Sequence, residues 1–288
     1  MSENIQRVGV VGCGLMGSGI AEVSARAQLD VVVVEATDDR LAGGRKRIEK
    51  SLARAVRNGK LSPDEEASAL GRMNFTTDYA VLADRQLVVE AVIESEPAKA
   101  SVFQRLDEVV EDPYAVLATN TSSIPIMKLA MATQRPAQVI GIHFFNPVPV
   151  LQLVEVVTSL LTDPAVATTA ESFVTDQLGK HVIRSQDRAG FIVNSLLIPY
   201  LLSAIRMLES GFATASDIDT GMVEGCAHPM GPLALTDLIG LDTTMAVAIS
   251  LYEEFKEPLY APPPLLSRMV DAGLLGRKTG RGFYSYGS

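Results

Sequence analysis

The chain has 288 residues, 47% of them hydrophobic and 20% charged, with a formal net charge of -9. That length suits two domains with a substantial core, and the composition is that of an ordinary globular protein. The acidic balance argues against a general nucleic-acid or membrane-surface binder, since either wants a basic surface, but it leaves room for a local basic patch.

The chain opens with Arg7-Val-Gly-Val-Val-Gly-Cys-Gly-Leu-Met-Gly-Ser-Gly-Ile-Ala, a strand pattern running through a glycine turn into an amphipathic helix. Gly12, Gly14 and Gly17 have the dinucleotide-fingerprint spacing. The first permits a tight turn, the second lets backbone approach a pyrophosphate, and the third lets helix and strand pack closely. Leu15 and Met16 belong to the same turn, where a helix N-terminus offers free N–H groups to phosphate. A bare glycine pattern is weak evidence, but here Val31-Val-Val-Val-Glu35 follows. An acidic residue closing the second strand is where a ribose hydroxyl would be bound. A carboxylate at Glu35 would repel the extra phosphate of NADP, so NAD is favoured, with Arg40 the one nearby cation against it.

Residues 38 to 60 read as a helix with an apolar line at Leu41, Ile48, Leu52 and Val56. Arg47, Lys50, Arg54 and Arg57 are spaced to share another face, with Arg45, Lys46 and Lys60 nearby. A solvated helix face explains such a charge run; a docking surface for a polyanionic part of the substrate explains it equally. Strands are then predicted at Leu87-Val-Val-Glu-Ala and Ala115-Val-Leu-Ala-Thr, with a helix over 98 to 110 between them. The second strand ends in Asn120-Thr-Ser-Ser123. Small polar groups at a strand's carboxyl end lie where doubly wound sheets bind ligands, although Thr and Ser before Pro125 also suit a helix cap. Glu94 and Lys99 follow a strand end on the same rim, where a surface salt bridge would account for them as well.

In Val139 to Val157, His143 ends one apolar run and Glu155 interrupts a second, with the rigid Asn146-Pro-Val-Pro between them. A lone His on an apolar segment is more often a core residue than a catalyst. Glu155, however, shares a strand face with Leu151 and Leu153. A carboxylate aimed into an apolar side needs a partner, and His143 is the natural one.

Strand alternation stops after Val182-Ile-Arg, which places a domain boundary near 185: residues 1–185 in a dinucleotide-binding domain, 186–288 in a helical one. A helix over 190 to 208 carries Asn194 in its early turn, with Pro199 expected to kink it. Residues 233 to 255 add apolar helical surface. The excess of apolar face over what one small domain buries suggests a homo-oligomer. The glycine-rich basic segment Gly276-Arg-Lys-Thr-Gly-Arg-Gly-Phe-Tyr reads as a loop that packs back through Phe283 and Tyr284. Cys13 and Cys226 lie without metal-ligand spacing, so no metal site is expected and both thiols read as free in a reducing compartment. A strand pattern starting at Ile5 leaves no room for a targeting segment, and a cytoplasmic location is expected. The longest apolar run, Phe191 to Leu202, is too short to span a bilayer.

Taken in order, the glycine turn, Asn120-Thr-Ser-Ser, His143-Phe-Phe-Asn-Pro-Val-Pro, Asp187-Arg-Ala-Gly-Phe-Ile-Val-Asn194, His228-Pro-Met-Gly-Pro and Lys278-Thr-Gly-Arg-Gly-Phe-Tyr resemble the 3-hydroxyacyl-CoA dehydrogenase family. The likeness covers essentially the whole chain and is to the short single-function form, with no enoyl-CoA hydratase segment. It implies an α/β fold: an N-terminal Rossmann-type NAD-binding domain followed by an all-α domain that forms a homodimer. His143 then matches the family's catalytic base and Glu155 its acidic partner. Ser122 and Asn194 match residues that hold the substrate. Glu35, Glu94, Lys99, Asn120, Ser122, Asn146 and Lys278 fall at cofactor contacts, and Ser51 at a CoA contact. The family's second CoA contact, a lysine, meets Asn58 here, which leaves Arg57 or Lys60 to serve, with Arg54 a further candidate for binding the substrate. The implied reaction is reversible oxidation of a (3S)-3-hydroxyacyl-CoA, short-chain 3-hydroxybutyryl-CoA first, to the 3-oxoacyl-CoA. Two alternatives stand beside it: a dehydrogenase of a free 3-hydroxy acid, and a non-catalytic protein that retains the cofactor for structure.

Overall fold

The computed structural model describes residues 4–287, which fall into two compact units divided between Asp187 and Arg188. The first unit alternates strands and helices: β1 (Arg7–Val11), α1 (Leu15–Arg26), β2 (Asp30–Val34), α2 (Asp38–Arg57), α3 (Pro63–Gly71), β3 (Met73–Thr76), β4 (Leu87–Glu90), α4 (Glu96–Val109), β5 (Val116–Thr119), α5 (Ile126–Ala130), β6 (Val139–Phe144), β7 (Leu153–Thr158), α6 (Pro164–Ser172) and β8 (His181–Gln186). They form one sheet of eight strands ordered β3-β2-β1-β4-β5-β6-β7-β8. The strands from β3 to β6 are mutually parallel, β7 runs antiparallel to β6, and β8 follows β7. β4 and β5 are buried at every residue, which is why parallel strands read as unbroken apolar runs. The chain order reverses between β1 and β4, and at such a switch point the crevice beyond the strands' carboxyl ends is open to a ligand.

α1 lies close on β1 because Gly17 has no side chain. A Cβ there would sit 1.8 Å from the Gly12 carbonyl oxygen, and Gly12 itself turns at φ +93°. α2 buries Gly44, Ile48 and Leu52, in line with the apolar stripe, but it stops at Arg57. Asn58 caps it and Gly59 takes φ +66°, so Lys60 lies off the helix. α4 begins two residues before the expected position, at Glu96 after Ser95, with a proline in its first turn. α3 and β3 are elements the hydrophobic pattern does not announce. α3 is set by a capping box, in which Ser62 Oγ accepts from Glu65 N and Glu65 Oε2 accepts from Ser62 N. β3 is a short edge strand, half-buried.

The second unit is helical: α7 (Val193–Glu209), α8 (Ala215–Cys226), α9 (Pro232–Ile239), α10 (Leu241–Phe255) and α11 (Pro264–Asp271). α7 starts three residues later than the apolar run suggests. Gly190 and Phe191 both take positive φ, +76° and +48°, which no right-handed helix accommodates. Its buried residues Ile198, Leu201, Leu202 and Ile205 share one face. Ile198, Leu202 and Ile205 form a core with Leu233 of α9, Leu241 and Leu251 of α10, and Leu266 of α11. The apolar helical surface expected over 233 to 255 is carried by two helices bent by 97° at Gly240, whose φ is +102°. Among the described residues no single helix is long and apolar enough to cross a membrane.

The glycine-rich basic segment does return to the body of this unit. Asp237 of α9, 1% exposed, accepts from Phe283 N and Tyr284 N at 2.9 Å each and from the Tyr286 hydroxyl at 2.9 Å. Asp219 of α8 accepts from Leu233 N and Ala234 N at the start of α9 and from the Tyr284 hydroxyl.

Candidate active site

Five strand ends of the first unit, those of β1, β2, β4, β5 and β6, build one rim. At the end of β1, Gly14 opens α1 without a side-chain cap or an acidic residue in the first turn, so the helix's leading N–H groups are available to an anion. A Cβ on Gly14 would meet nothing within 4 Å; that side of the turn is open to a ligand's approach. Leu15 is exposed and Met16 half-buried beside it. Glu35, just past β2, turns its carboxylate to the same turn: Oε1 accepts from Cys13 N at 2.7 Å and Oε2 from Ala36 N at 2.9 Å. Each oxygen keeps a second lone pair for a ribose hydroxyl. A dinucleotide's pyrophosphate and ribose therefore fit the turn and Glu35. Arg47 of α2 donates to the Cys13 carbonyl at 2.9 Å, so one of the four face-sharing cations braces the turn. Burial, reinforced by the Glu35 carboxylate and opposed by Arg47, pushes the Cys13 thiol up to about 12, which keeps it protonated and inert.

At β4 and β5 the predicted residues are joined more tightly than a surface pair. Lys99 is 1% exposed; its ammonium lies 2.7 Å from Glu90 Oε1 and 3.3 Å from Glu94 Oε2. The pair Glu94–Lys99 is thus half interior, and Lys99 reaches the rim only through Glu94. Glu94 Oε1 accepts from Thr121 Oγ1 at 2.6 Å, Ser122 N at 2.9 Å, Ser122 Oγ at 3.3 Å, and Ser123 N and Oγ at 3.1 Å each. Burial, the largest influence on Glu94, disfavours its charge. Lys99 and the donors of the 121–123 turn outweigh burial and hold the carboxyl below its ordinary value near 4.5. The hydroxyls before Pro125 are thus directed to Glu94, and Asp187 caps the start of α5, accepting from Ile126 N at 2.7 Å and Met127 N at 2.8 Å. Asn120 Oδ1 accepts from Phe144 N at 2.9 Å, tying this turn to the end of β6.

β6 and β7 put His143 directly opposite Glu155 in the antiparallel register, where facing side chains share one side of the sheet. His143 Nδ1 lies 2.7 Å from Glu155 Oε2. His143 is 6% exposed and Glu155 fully buried. A carboxylate accepts, so Nδ1 carries the proton and Nε2 is the basic nitrogen. The ring stands 4.6 Å from that of Phe145. Leu151 lies outside β7 and is 41% exposed; the company of Glu155 on its face is half-buried Leu153 and buried Val157. Asn146, next along, is exposed. The loop behind it is braced by Lys180, whose ammonium donates to the Val148 and Leu151 carbonyls at 2.8 and 2.7 Å.

On α2, Arg54 and Arg57 are exposed, as is Lys60 beyond it, and Ser51 is half-buried. Ser51 hydrogen-bonds the buried Glu22 of α1, whose carboxyl is pushed up by burial. In the second unit Asn194 sits in the first turn of α7, half-buried, and Lys278 pairs with both carboxylate oxygens of Asp242. Among the described residues no cluster of His, Cys, Asp and Glu has the makings of a metal site. Glu90, Thr119 and Asp187 take part in this rim although their types and positions had suggested no task. For Glu90 the signal was there, a carboxylate closing the apolar run Leu87-Val-Val, the same oddity that singled out Glu155.

Sequence comparison finds two family models along the chain: the 3-hydroxyacyl-CoA dehydrogenase NAD binding domain over residues 7–188 and the 3-hydroxyacyl-CoA dehydrogenase C-terminal domain over residues 190–286. The chain is 61% identical to the 3-hydroxybutyryl-CoA dehydrogenase of Mycobacterium tuberculosis strain H37Rv, over 99% of this chain and all of that protein. The crystal structure of M. tuberculosis FadB2 superposes with a TM-score of 0.98 at 61% identity, covering 99% of this chain and 100% of that one. The (S)-3-hydroxybutyryl-CoA dehydrogenase PaaH1 of Ralstonia eutropha gives 0.93 at 44% identity, covering 99% and 100%.

Proposed function

This chain belongs to the 3-hydroxyacyl-CoA dehydrogenase family and is an NAD-dependent oxidoreductase, and we propose that it interconverts a short-chain (3S)-3-hydroxyacyl-CoA, 3-hydroxybutyryl-CoA above all, and the 3-oxoacyl-CoA. The observation that carries the assignment is the His143–Glu155 pair, 2.7 Å apart across β6 and β7. A secondary alcohol cannot lose hydride and keep its proton, because the product would be a protonated ketone. Nε2 of His143 takes the hydroxyl proton in oxidation and returns it in reduction. Glu155 fixes the ring's tautomer and stabilises the imidazolium while it lasts. When bound, NAD⁺ supplies the hydride acceptor.

The cofactor contacts assigned to this chain are the glycine turn with Leu15 and Met16, Glu35, Glu94 with Lys99 behind it, Asn120, Ser122, Asn146 and Lys278. Ser122 and Asn194 are assigned to the substrate's oxygens. Ser51, Arg54, Arg57 and Lys60 are assigned to the CoA phosphates, which a cationic helix face suits. The fully buried carboxylate of Glu155 supports catalysis over a retained but idle cofactor site, since a non-catalytic protein has no use for it.

The test compares acetoacetyl-CoA with free acetoacetate as oxidant of NADH, and NADH with NADPH. Two charge-assisted contacts at about 1.5–3 kcal/mol each correspond to roughly 10²–10⁴ in kcat/KM, so acetoacetyl-CoA is expected to lead by that margin. Equal rates with the free acid would remove CoA from the assignment.

The proposal extends to a homodimer formed by the second unit. Large apolar side chains stand exposed there: Leu196 at 72%, Phe212 at 79%, and Leu238, Ile249 and Met207 at between 41% and 49%. Such surface is costly to leave in water. Sedimentation equilibrium is expected to return twice the chain mass of 30.8 kDa, and a monomer at micromolar concentration would exclude the dimer. A cytoplasmic location completes the reading, supported by two free cysteines, one of them exposed, which suit a reducing compartment.

A further inference from the structure

Glu90 closes β4 with no exposed surface and has no part in the chemistry above. Its carboxylate nonetheless joins three elements. Oε1 accepts from Val92 N and from the Lys99 ammonium on α4, each at 2.7 Å, and Oε2 accepts from the Thr119 hydroxyl at the end of β5, also at 2.7 Å. A buried carboxylate is sustained only by partners of this kind.

Two routes lead from Glu90 to Ser122. In the first, the Thr119 hydroxyl has one proton, and Glu90 takes it. Thr119 Oγ1 is thereby turned into an acceptor for Thr121 N, 3.1 Å away. In the second, Lys99 bridges Glu90 to Glu94, 3.3 Å from its Oε2. The other oxygen of Glu94 then gathers Thr121, Ser122 and Ser123. Both routes end on the same three-residue turn, one from beneath and one from the side. Neither survives the loss of the carboxylate: Thr119 is free to rotate its proton, and Lys99 loses the partner that holds it in the interior.

We infer that Glu90 is a positioning residue for Ser122, setting the proton direction of Thr119 and the place of Lys99 so that the 121–123 turn holds the Ser122 hydroxyl where the substrate's oxygen meets it. Glu90 touches neither substrate nor cofactor. This role rests on the assignment of Ser122 as a substrate contact.

The experiment is a double-mutant cycle with Glu90→Gln and Ser122→Ala, read as kcat and KM for acetoacetyl-CoA, NADH affinity and thermal unfolding. Gln offers one acceptor and one donor group where the carboxylate takes three donors, so its amide N–H meets the Thr119 oxygen and the hydroxyl proton must turn away from it. Glu90→Gln is expected to lower kcat by roughly tenfold to a hundredfold, the scale of an ångström's misplacement, and to lower NADH affinity by less than it lowers kcat, because the glycine turn and Glu35 do not depend on Glu90. In the Ser122→Ala background the same change is expected to alter kcat by less than about twofold, because the group being positioned is gone. Thr119→Val should repeat this pattern and Thr119→Ser, which keeps the hydroxyl, should restore turnover. The Thr119 pair carries the test if Glu90→Gln does not fold. An equal loss from Glu90→Gln with and without Ser122, or no loss in either, overturns the inference. Wild-type turnover in Ser122→Ala alone would instead fail the assignment of Ser122, and this role of Glu90 with it.

Discussion

Replacing His143 with Gln is expected to lower turnover by about 10²–10⁴, the usual worth of a general base, or about 2.7–5.5 kcal/mol in activation free energy. Gln has nearly the reach of His and its amide can still donate to Glu155, so the β6–β7 pairing has no reason to change. It has no lone pair that takes a proton near neutral pH. The glycine turn and Glu35 lie beyond β1 and β2, separated from β6 in the sheet by β4 and β5, so NADH affinity should be retained. Stopped-flow turnover and NADH fluorescence titration of the same preparation separate the two. Turnover within a few-fold of wild type would end the assignment of His143 as base.

Glu155→Gln is expected to cost nearly as much, about 10²–10⁴ in kcat, as when the acidic member of a triad becomes an amide. The amide can accept the Nδ1 proton in one flip state and oppose it in the other, so tautomer control weakens. In either state it gives the imidazolium no counter-charge. Stability should move the other way or little, because a fully buried carboxylate is replaced by a neutral group of the same shape. Activity and melting temperature are therefore expected to part company. A variant with wild-type kcat, or one whose activity falls only in step with its folded fraction, would reduce Glu155 to a structural residue.

The parts of the site legible in the chain were those where a residue type conflicts with its surroundings. Three glycines at fixed spacing after an apolar run have one common use, and His143 and Glu155 stand out because ionisable groups are rare in buried strands. The structure supplies a conflict of the same kind at Glu90, which a run of only Leu87-Val-Val ahead of it made easy to pass over. Less legible was whatever depends on a partner distant in sequence. Asp187 caps α5 from far along the chain, where local reasoning could offer only the Thr and Ser just before Pro125. β3 has four residues and an edge position, so neither length nor burial marks it. The breaks at Gly190–Phe191 and Gly240 are backbone events inside stretches whose apolar content gives only their helical character. Lys99 shows the same limit for charge: its spacing from Glu94 suggested a surface pair, and only the fold reveals Glu90 beneath it.

The antiparallel register of β6 and β7 makes the alignment of His143 with Glu155 all-or-none. Side chains alternate between faces with a period of two, so a slip of one residue would carry Glu155 to the opposite face. A slip of two would set His143 against Leu153 or Val157. No intermediate registers exist in which the two groups are slightly misaligned. Conservative changes among the neighbours Ile142, Phe144, Val154 and Val156 therefore draw down the stability of the sheet before they blur the contact. The proton-handling geometry is in this sense quantised by the backbone ladder, and sequence drift in the surrounding core is buffered from chemistry for as long as the two strands stay paired.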